Sequence, residues 1–165
     1  MSDPSAPLVR ALSAYGECHR NHRNLLNHAL GIPLIVLALT TWLSRPVWET
    51  SALVVTPSVI AAILAAIFYL RLDMRTGMVM TLLLALFVMA GFAIAQISTL
   101  AWIAGRAALF ALGWSFQMLG HKYEGRKPAF LDDLRSFLIG PLFMVVEGLF
   151  ALGLMGDLRR AIEGR

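Results

Sequence analysis

The stretch Tyr15–Pro33, YGECHRNHRNLLNHALGIP, carries His19, His22 and His28 together with Asn21, Asn24 and Asn27. The remaining histidine, His121, stands three residues before Glu124 in GWSFQMLGHKYEGRKPAF. Imidazoles and carboxylates are the common ligands of divalent metals, so the chemistry on offer is a metal site if the two stretches meet. His121 and Glu124, three residues apart, share one helical face, the Glu-x-x-His spacing of bundle metal sites in reverse order. His19 and His28 are nine residues apart, and nine steps of ~100° place them on opposite faces of an unbroken helix. Asn21 or Asn24 is a good N-cap. The spacing therefore predicts a helix carrying Tyr15 and His19 that ends near RNHR, a second helix that begins before Leu25, and a turn that folds both imidazoles inward. On that second helix Asn21, Asn24 and His28 form a polar stripe whose groups need partners at a membrane boundary.

The elements that position these residues follow from composition. At 165 residues, 58% hydrophobic, 15% charged and with mean hydropathy +0.71, the chain is too apolar for an ordinary soluble domain and too short for several domains. Residues 52–70 and 77–105 hold no charge, and each run is long enough to cross a hydrocarbon core of ~30 Å as helix. The continuous Leu/Ala/Val/Ile/Met runs lack the alternation of a membrane barrel. The expected fold is an all-α integral membrane bundle in one domain, 1–165. It comprises an N-terminal helix region (1–28), spans within 30–120 and a C-terminal region (121–165). The spans are read at 30–44, 51–70, 77–97 and 100–120, with the last two forming a tight antiparallel pair across 98–99. The polar leader before residue 29 does not read as a signal peptide and is expected to stay. Cys18 is alone and forms no internal disulfide.

Nine cations, among them Arg10, Arg20, Arg23, Arg71, Arg75 and Arg126, fall on one side of this scheme, against Arg45 and Arg106 on the other. By the positive-inside rule the N-terminus is cytoplasmic. An even number of crossings returns the chain to its starting face, which brings residues 15–28 and 121–135 to the same boundary. The final apolar segment, 137–156, is ambiguous, because a simple span places Glu147 near the bilayer centre at a cost of ~2.5–3.5 kcal/mol. Pro141, Gly140, Gly148 and Gly153 favour a broken, re-entrant or partly buried helix, with Glu147 facing protein or a wet cavity. The spacing Gly91–x3–Ala95 permits close helix packing, within or between chains.

A histidine or asparagine at a membrane boundary often only caps or anchors a helix. The basic run HKYEGRK equally suits anionic lipid head groups, and Trp42, Trp48, Trp102 and Trp114 suit an interfacial belt. Those readings leave unexplained why all four histidines fall on one face of the membrane. The count of four is too small for the histidine-rich di-iron desaturases. A bis-imidazole haem on His28 and His121 leaves His19 and Glu124 without a role. A mononuclear Fe(II) or Zn(II) centre with imidazoles and one carboxylate fits the ligands present.

The pattern Tyr15–x3–His19–x4–Asn24–x3–His28–x2–Gly31–x–Pro33, the stretch GWSFQMLGHKYEGRKPAFLDDL and Pro141–x–Phe143–x3–Glu147 resemble the yeast-type membrane family of 2-hydroxy-palmitic acid dioxygenases. The resemblance runs from about residue 12 to 150. His22 stands where the family commonly has proline, which removes it from the ligand candidates, and Met118 replaces a phenylalanine. The resemblance implies an Fe(II)-dependent dioxygenase of fatty-acid α-oxidation, which uses O2 to shorten a 2-hydroxy fatty acid by one carbon without nicotinamide, flavin or haem. It implies that His19, His28 and His121 bind iron, with Glu124 as a fourth ligand or as a group orienting an imidazole. Asn24 and Gln117 then hydrogen-bond ligands or substrate. Arg20 or Arg126 meets the substrate carboxylate, and Glu147 joins them near the substrate. The acyl chain lies between apolar helices in contact with membrane lipid, in a bacterial cytoplasmic membrane, and no nucleic-acid partner is expected. Two rival classes stay open: a zinc hydrolase using the same site, and a non-catalytic protein whose basic face binds anionic lipid.

Overall fold

The computed structural model describes residues 6–17, 19, 21–49, 54–125 and 135–164. These residues form seven helices: α1 (Ala6–Glu17), α2 (His22–Trp42), α3 (Pro57–Leu72), α4 (Met74–Ile97), α5 (Thr99–Glu124), α6 (Arg135–Ala151) and α7 (Gly156–Glu163). A two-residue antiparallel ladder, β1 (Trp48–Glu49) with β2 (Val54–Val55), precedes α3. The fold is the expected all-α membrane bundle. Helices α2, α4 and α5 are long and apolar enough to cross a membrane. Their outer faces expose Leu30, Leu82, Leu86 and Met89, among others, an apolar surface suited to lipid contact.

The junctions are set by single capping residues. Asp73 ends α3 and caps α4, accepting from the Thr76 N–H at 2.8 Å, and Ser98 caps α5 through the Ala101 N–H at 3.0 Å. The loop expected at 71–76 is therefore one residue, because Arg71 and Arg75 sit on helix ends instead of breaking the helices. The span expected at 51–70 begins as helix only at Pro57, with Thr56 as N-cap, and residues 51–53 lie outside the described residues. Its 16 residues reach about 24 Å, short of a ~30 Å core. Helix α5 runs past residue 120 to Glu124 and stops at Gly125, whose φ of 69° is the left-handed closure that glycine tolerates.

Sequence adjacency did not choose the packing partners. Helix α5 packs far more extensively on α2 than on α4, its neighbour across Ser98. The buried stripe of α2, Asn24, His28, Gly31, Ile35 and Ala38, faces the buried Gly113, Gln117, Gly120 and His121 of α5. Glycines let the two backbones approach: a Cβ on Gly31 would stand 2.7 Å from the Gly113 carbonyl oxygen. The Gly91–x3–Ala95 edge of α4 serves the same end within this chain, with Gly91 against the Thr40–Thr41 backbone of α2.

Helices α6 and α7 are bent by 114°, the broken segment expected; the break falls after Ala151, where Gly153 has φ 74°, while Pro141 lies inside α6. Leu8, Leu12 and Tyr15 of α1 share the core with Tyr69 of α3 and with Ile139, Leu142, Phe143 and Val146 of α6. At the far end Arg106 lies over the rings of Trp42 and Trp102, and Arg45 bonds to the Ala95 carbonyl. Trp42 and Trp48 are exposed there, as an interfacial belt requires.

Candidate metal centre

Local capping opens the site. Asn21 accepts the Arg23 N–H at 2.9 Å and starts α2, which reverses the chain after α1 ends at Glu17. His19 is thus in the turn and not on α1. The turn overcomes the opposite-face problem: His19 now looks toward His28, and the last turn of α5 supplies His121. Ring centroids lie 5.0 Å apart for His19 and His28, 4.9 Å for His28 and His121, and 5.7 Å for His19 and His121. One ligand nitrogen from each lies within 4.8 Å of the others. All three residues are buried, with exposures of 4%, 2% and 8%.

Backbone carbonyls orient two of the rings. His19 Nδ1 lies 2.9 Å from the Tyr15 carbonyl and His28 Nδ1 lies 3.0 Å from the Asn24 carbonyl. A carbonyl only accepts, so Nδ1 carries the proton and Nε2 is left with its lone pair. That is the tautomer a metal-ligating histidine adopts when its second nitrogen is held. Among the described residues His19 Nε2 is buried with no hydrogen-bond partner, a costly arrangement that a cation would relieve. The ring stacks on Tyr15, with centroids 4.1 Å apart and planes at 4°. Burial pushes the His19 pKa below its ordinary 6.5, against the raising effects of the Tyr15 carbonyl and the Glu124 carboxylate. His19 is therefore neutral at pH 7 and available as a donor. The residues present fit a divalent ion with imidazole ligands.

Glu124 stands apart from the three-imidazole group. Its Oε2 accepts from the Asn21 backbone N–H at 3.0 Å and from Asn24 Nδ2 at 2.9 Å, while Asn21 Nδ2 donates to the Tyr123 carbonyl at 3.0 Å. These bonds tie the His19 turn to the end of α5. Asn24 is fully buried, and Gln117 Nε2 is buried without a partner among the described residues. Gly31 and Gly120 make room for these amides, since a Cβ on Gly31 would stand 2.9 Å from Gln117 Nε2 and one on Gly120 would stand 2.5 Å from Asn24 Oδ1.

A cavity of about 60 Å³ opens beside the imidazoles, lined by His28, His121, Gln117, Tyr15, Trp114 and Phe137, among others. The structure thus brings together His19, His28 and His121, with Asn24 and Gln117 beside them and Glu124 in contact with Asn24. It does not bring Glu147 there: Glu147 lines a separate pocket with Phe150, Arg159 and Glu163, because α6 carries it a full two turns beyond Gly140. Arg20 and Arg126 lie outside the described residues. His22 is exposed, and Met118 is 40% exposed, so the replacement at 118 faces away from the site. Sequence reasoning overlooked Trp114 and Phe137 as cavity walls. Trp114 read as interfacial, yet it sits seven residues, two helical turns, before His121 and so on the same face of α5.

No solved structure gives a significant match. A 2-hydroxy-palmitic acid dioxygenase of Saccharomyces cerevisiae is 32% identical over 166 aligned residues, which cover 99% of this chain and 91% of the relative. A family model described as 2-hydroxy-palmitic acid dioxygenase Mpo1-like matches residues 5–152. With that match spanning the residues that supply all three buried imidazoles, the chain belongs to the 2-hydroxy-palmitic acid dioxygenase Mpo1-like family.

Proposed function

We propose that this protein is an Fe(II)-dependent membrane dioxygenase that converts a 2-hydroxy fatty acid to the fatty acid one carbon shorter. The observation that carries the reading is the buried His19, His28 and His121 group, with two rings held by backbone carbonyls through Nδ1. The name of the yeast relative supplies the reaction class. One O2 balances the conversion: C1 leaves as CO2, C2 becomes the new carboxyl carbon, and one water forms. Bound ferrous iron would supply the capacity to activate O2 beside the 2-hydroxy acid.

The chain's own residues supply binding and orientation. His19, His28 and His121 present nitrogen donors from three directions, and the carbonyls of Tyr15 and Asn24 keep the two held rings from rotating. Gln117 Nε2, unpartnered among the described residues and buried at the cavity wall, offers an N–H to the substrate carboxylate or hydroxyl. Glu124 acts through Asn21 and Asn24 to hold the turn, the orienting role rather than that of a fourth ligand. Tyr15, Trp114 and Phe137 exclude water from the reacting end. The site sits at the cytoplasmic boundary of a bacterial membrane, on the side where Arg23, Arg71 and Arg75 cluster.

The test is metal analysis of purified protein together with O2 uptake and mass analysis on 2-hydroxypalmitate under air. Stoichiometric iron, one O2 consumed per pentadecanoate formed, and loss of both in His121→Ala are expected. Zinc without O2 uptake, or equal turnover in wild type and His121→Ala, would overturn the reading.

A further inference from the structure

A second, larger cavity of about 230 Å³ lies between α2, α3, α4 and α6. It shares Ile32, Val36, Phe137 and Pro141 with the histidine-lined cavity, so the two adjoin, with these side chains between them. Its remaining walls are aliphatic and aromatic, and the hydroxyls among them are engaged elsewhere. Thr40 donates to the Val36 and Leu37 carbonyls, Tyr69 donates to the Leu138 carbonyl, and the Ser58 and Thr56 hydroxyls bond to each other. Such a lining asks for no polar partner. An engineered apolar cavity of about 150 Å³ stays dry and takes small hydrocarbons, and this one is larger.

The cavity also has a direction and an end. Along α2 it extends from Ile32, one turn beyond His28, to Leu43, whose carbonyl accepts the Ser58 N–H at 2.8 Å and closes the far end. Leu43, the residue that follows α2, is eleven positions beyond Ile32, about 16 Å at helical rise. A leaflet of acyl chains fills about half of a ~30 Å hydrocarbon core, so this depth admits one long chain laid out straight. Helix α3 lines the distal half with Ala61, Ala62 and Ala65, residues small enough to leave the space open.

Resting on the proposed function, we propose that this cavity holds the acyl chain of the 2-hydroxy acid. The alanine face of α3 sets how long that chain is. The head reaches the imidazoles past the shared side chains, and the tail runs toward Ser58. Filling the alanine face should exclude distal methylenes, and each methylene withheld from apolar burial costs roughly fourfold in binding.

Two measurements separate this proposal from the reading it rests on. The first needs no turnover: palmitate carrying a photoreactive diazirine at its tail is irradiated with the full-length protein in nanodiscs, and the adducts are mapped. Adducts at Ala61–Ala65 or Leu83–Phe87 on cavity-facing residues, competed by 2-hydroxypalmitate, are expected. Adducts confined to outward residues such as Leu64 and Leu82, with no competition, would overturn the proposal even if the enzyme is active. The second compares kcat/KM for 2-hydroxyoctanoate and 2-hydroxypalmitate. Ala62→Phe should move the ratio toward the shorter acid by at least about tenfold, whereas Leu64→Phe, on the outer face, should leave it unmoved. An unchanged ratio in folded Ala62→Phe would overturn it, and Leu84→Ala provides the converse arm, a shift toward longer acids.

Discussion

At the residue scale, each imidazole has two nitrogens, and in His19 and His28 a backbone carbonyl engages Nδ1, which leaves Nε2 for a different partner. If Nε2 is the metal donor, His28→Ala or His121→Ala should abolish stoichiometric iron after dialysis against a buffered iron standard. Glu124→Gln should behave differently. Its one amide oxygen can still accept from both Asn21 and Asn24, which bond to a single oxygen of Glu124, but the negative charge is lost, so iron affinity should fall about 10- to 100-fold, the usual cost of changing an outer partner. Complete loss of iron in Glu124→Gln would instead make it a direct ligand. The depressed pKa of His19 has a consequence for the metal-free protein. The unfolded chain takes up a proton near 6.5 while the folded ring resists it. Stability is therefore full above that value and is lost as pH falls through the window between it and the lower folded pKa. Thermal melts of iron-free protein from pH 7.5 down to 5 should show this decline, and it should be shallower in His19→Asn.

At the element scale, the α2–α5 contact decides whether the site exists. Gly120 lies between Asn24 and His28, where an added Cβ would meet Asn24 Oδ1 at 2.5 Å and His28 Nδ1 at 3.1 Å. Gly120→Ala should therefore cost about 1–3 kcal/mol through overpacking, seen as a lowered midpoint in denaturation and as weakened iron binding. A Cβ added at Gly148, on α6, would meet no atom within 4 Å; Gly148→Ala should be neutral or stabilising by up to ~1 kcal/mol from helix propensity. The contrast tests packing and not glycine content. The start of α2 was readable from chemistry, since Asn21 has a side chain that accepts a first free N–H; Thr56, Asp73 and Ser98 cap in the same way, yet α3 and α4 start at Pro57 and Met74 and not at the expected 51 and 77. Helix partners were not readable. The two-residue link at 98–99 suggested α4 as the mate of α5, but glycines placed on matching faces of α2 and α5 allowed a closer and more extensive contact.

At the scale of the whole molecule, helices α2 to α5 run alternately up and down, and this parity returns His121 to the end from which His28 set out. The same arrangement leaves Arg45, Arg106 and the exposed Trp42 and Trp48 at the other end. With the histidine end cytoplasmic, a cysteine at Trp48, in a Cys18→Ser background, should react with an impermeant maleimide added outside spheroplasts. One at Lys122 should react only after lysis. The reverse pattern would invert the orientation.

Class and the start of α2 at Asn21 were legible in the sequence because hydropathy and capping are local properties of a chain in lipid, whereas the choice of His19, His28 and His121 came with the family resemblance. The separation of Glu147 from the site, the engagement of Glu124 by two asparagines, and the cavity walls supplied by Trp114 and Phe137 were not legible. Each depends on which helix faces which, a choice made by close contacts between residues far apart in the chain. The turn at His19 is where the two meet: its cap is written locally in Asn21, but only the arrival of α5 gives that turn a third imidazole and a carboxylate to hold it.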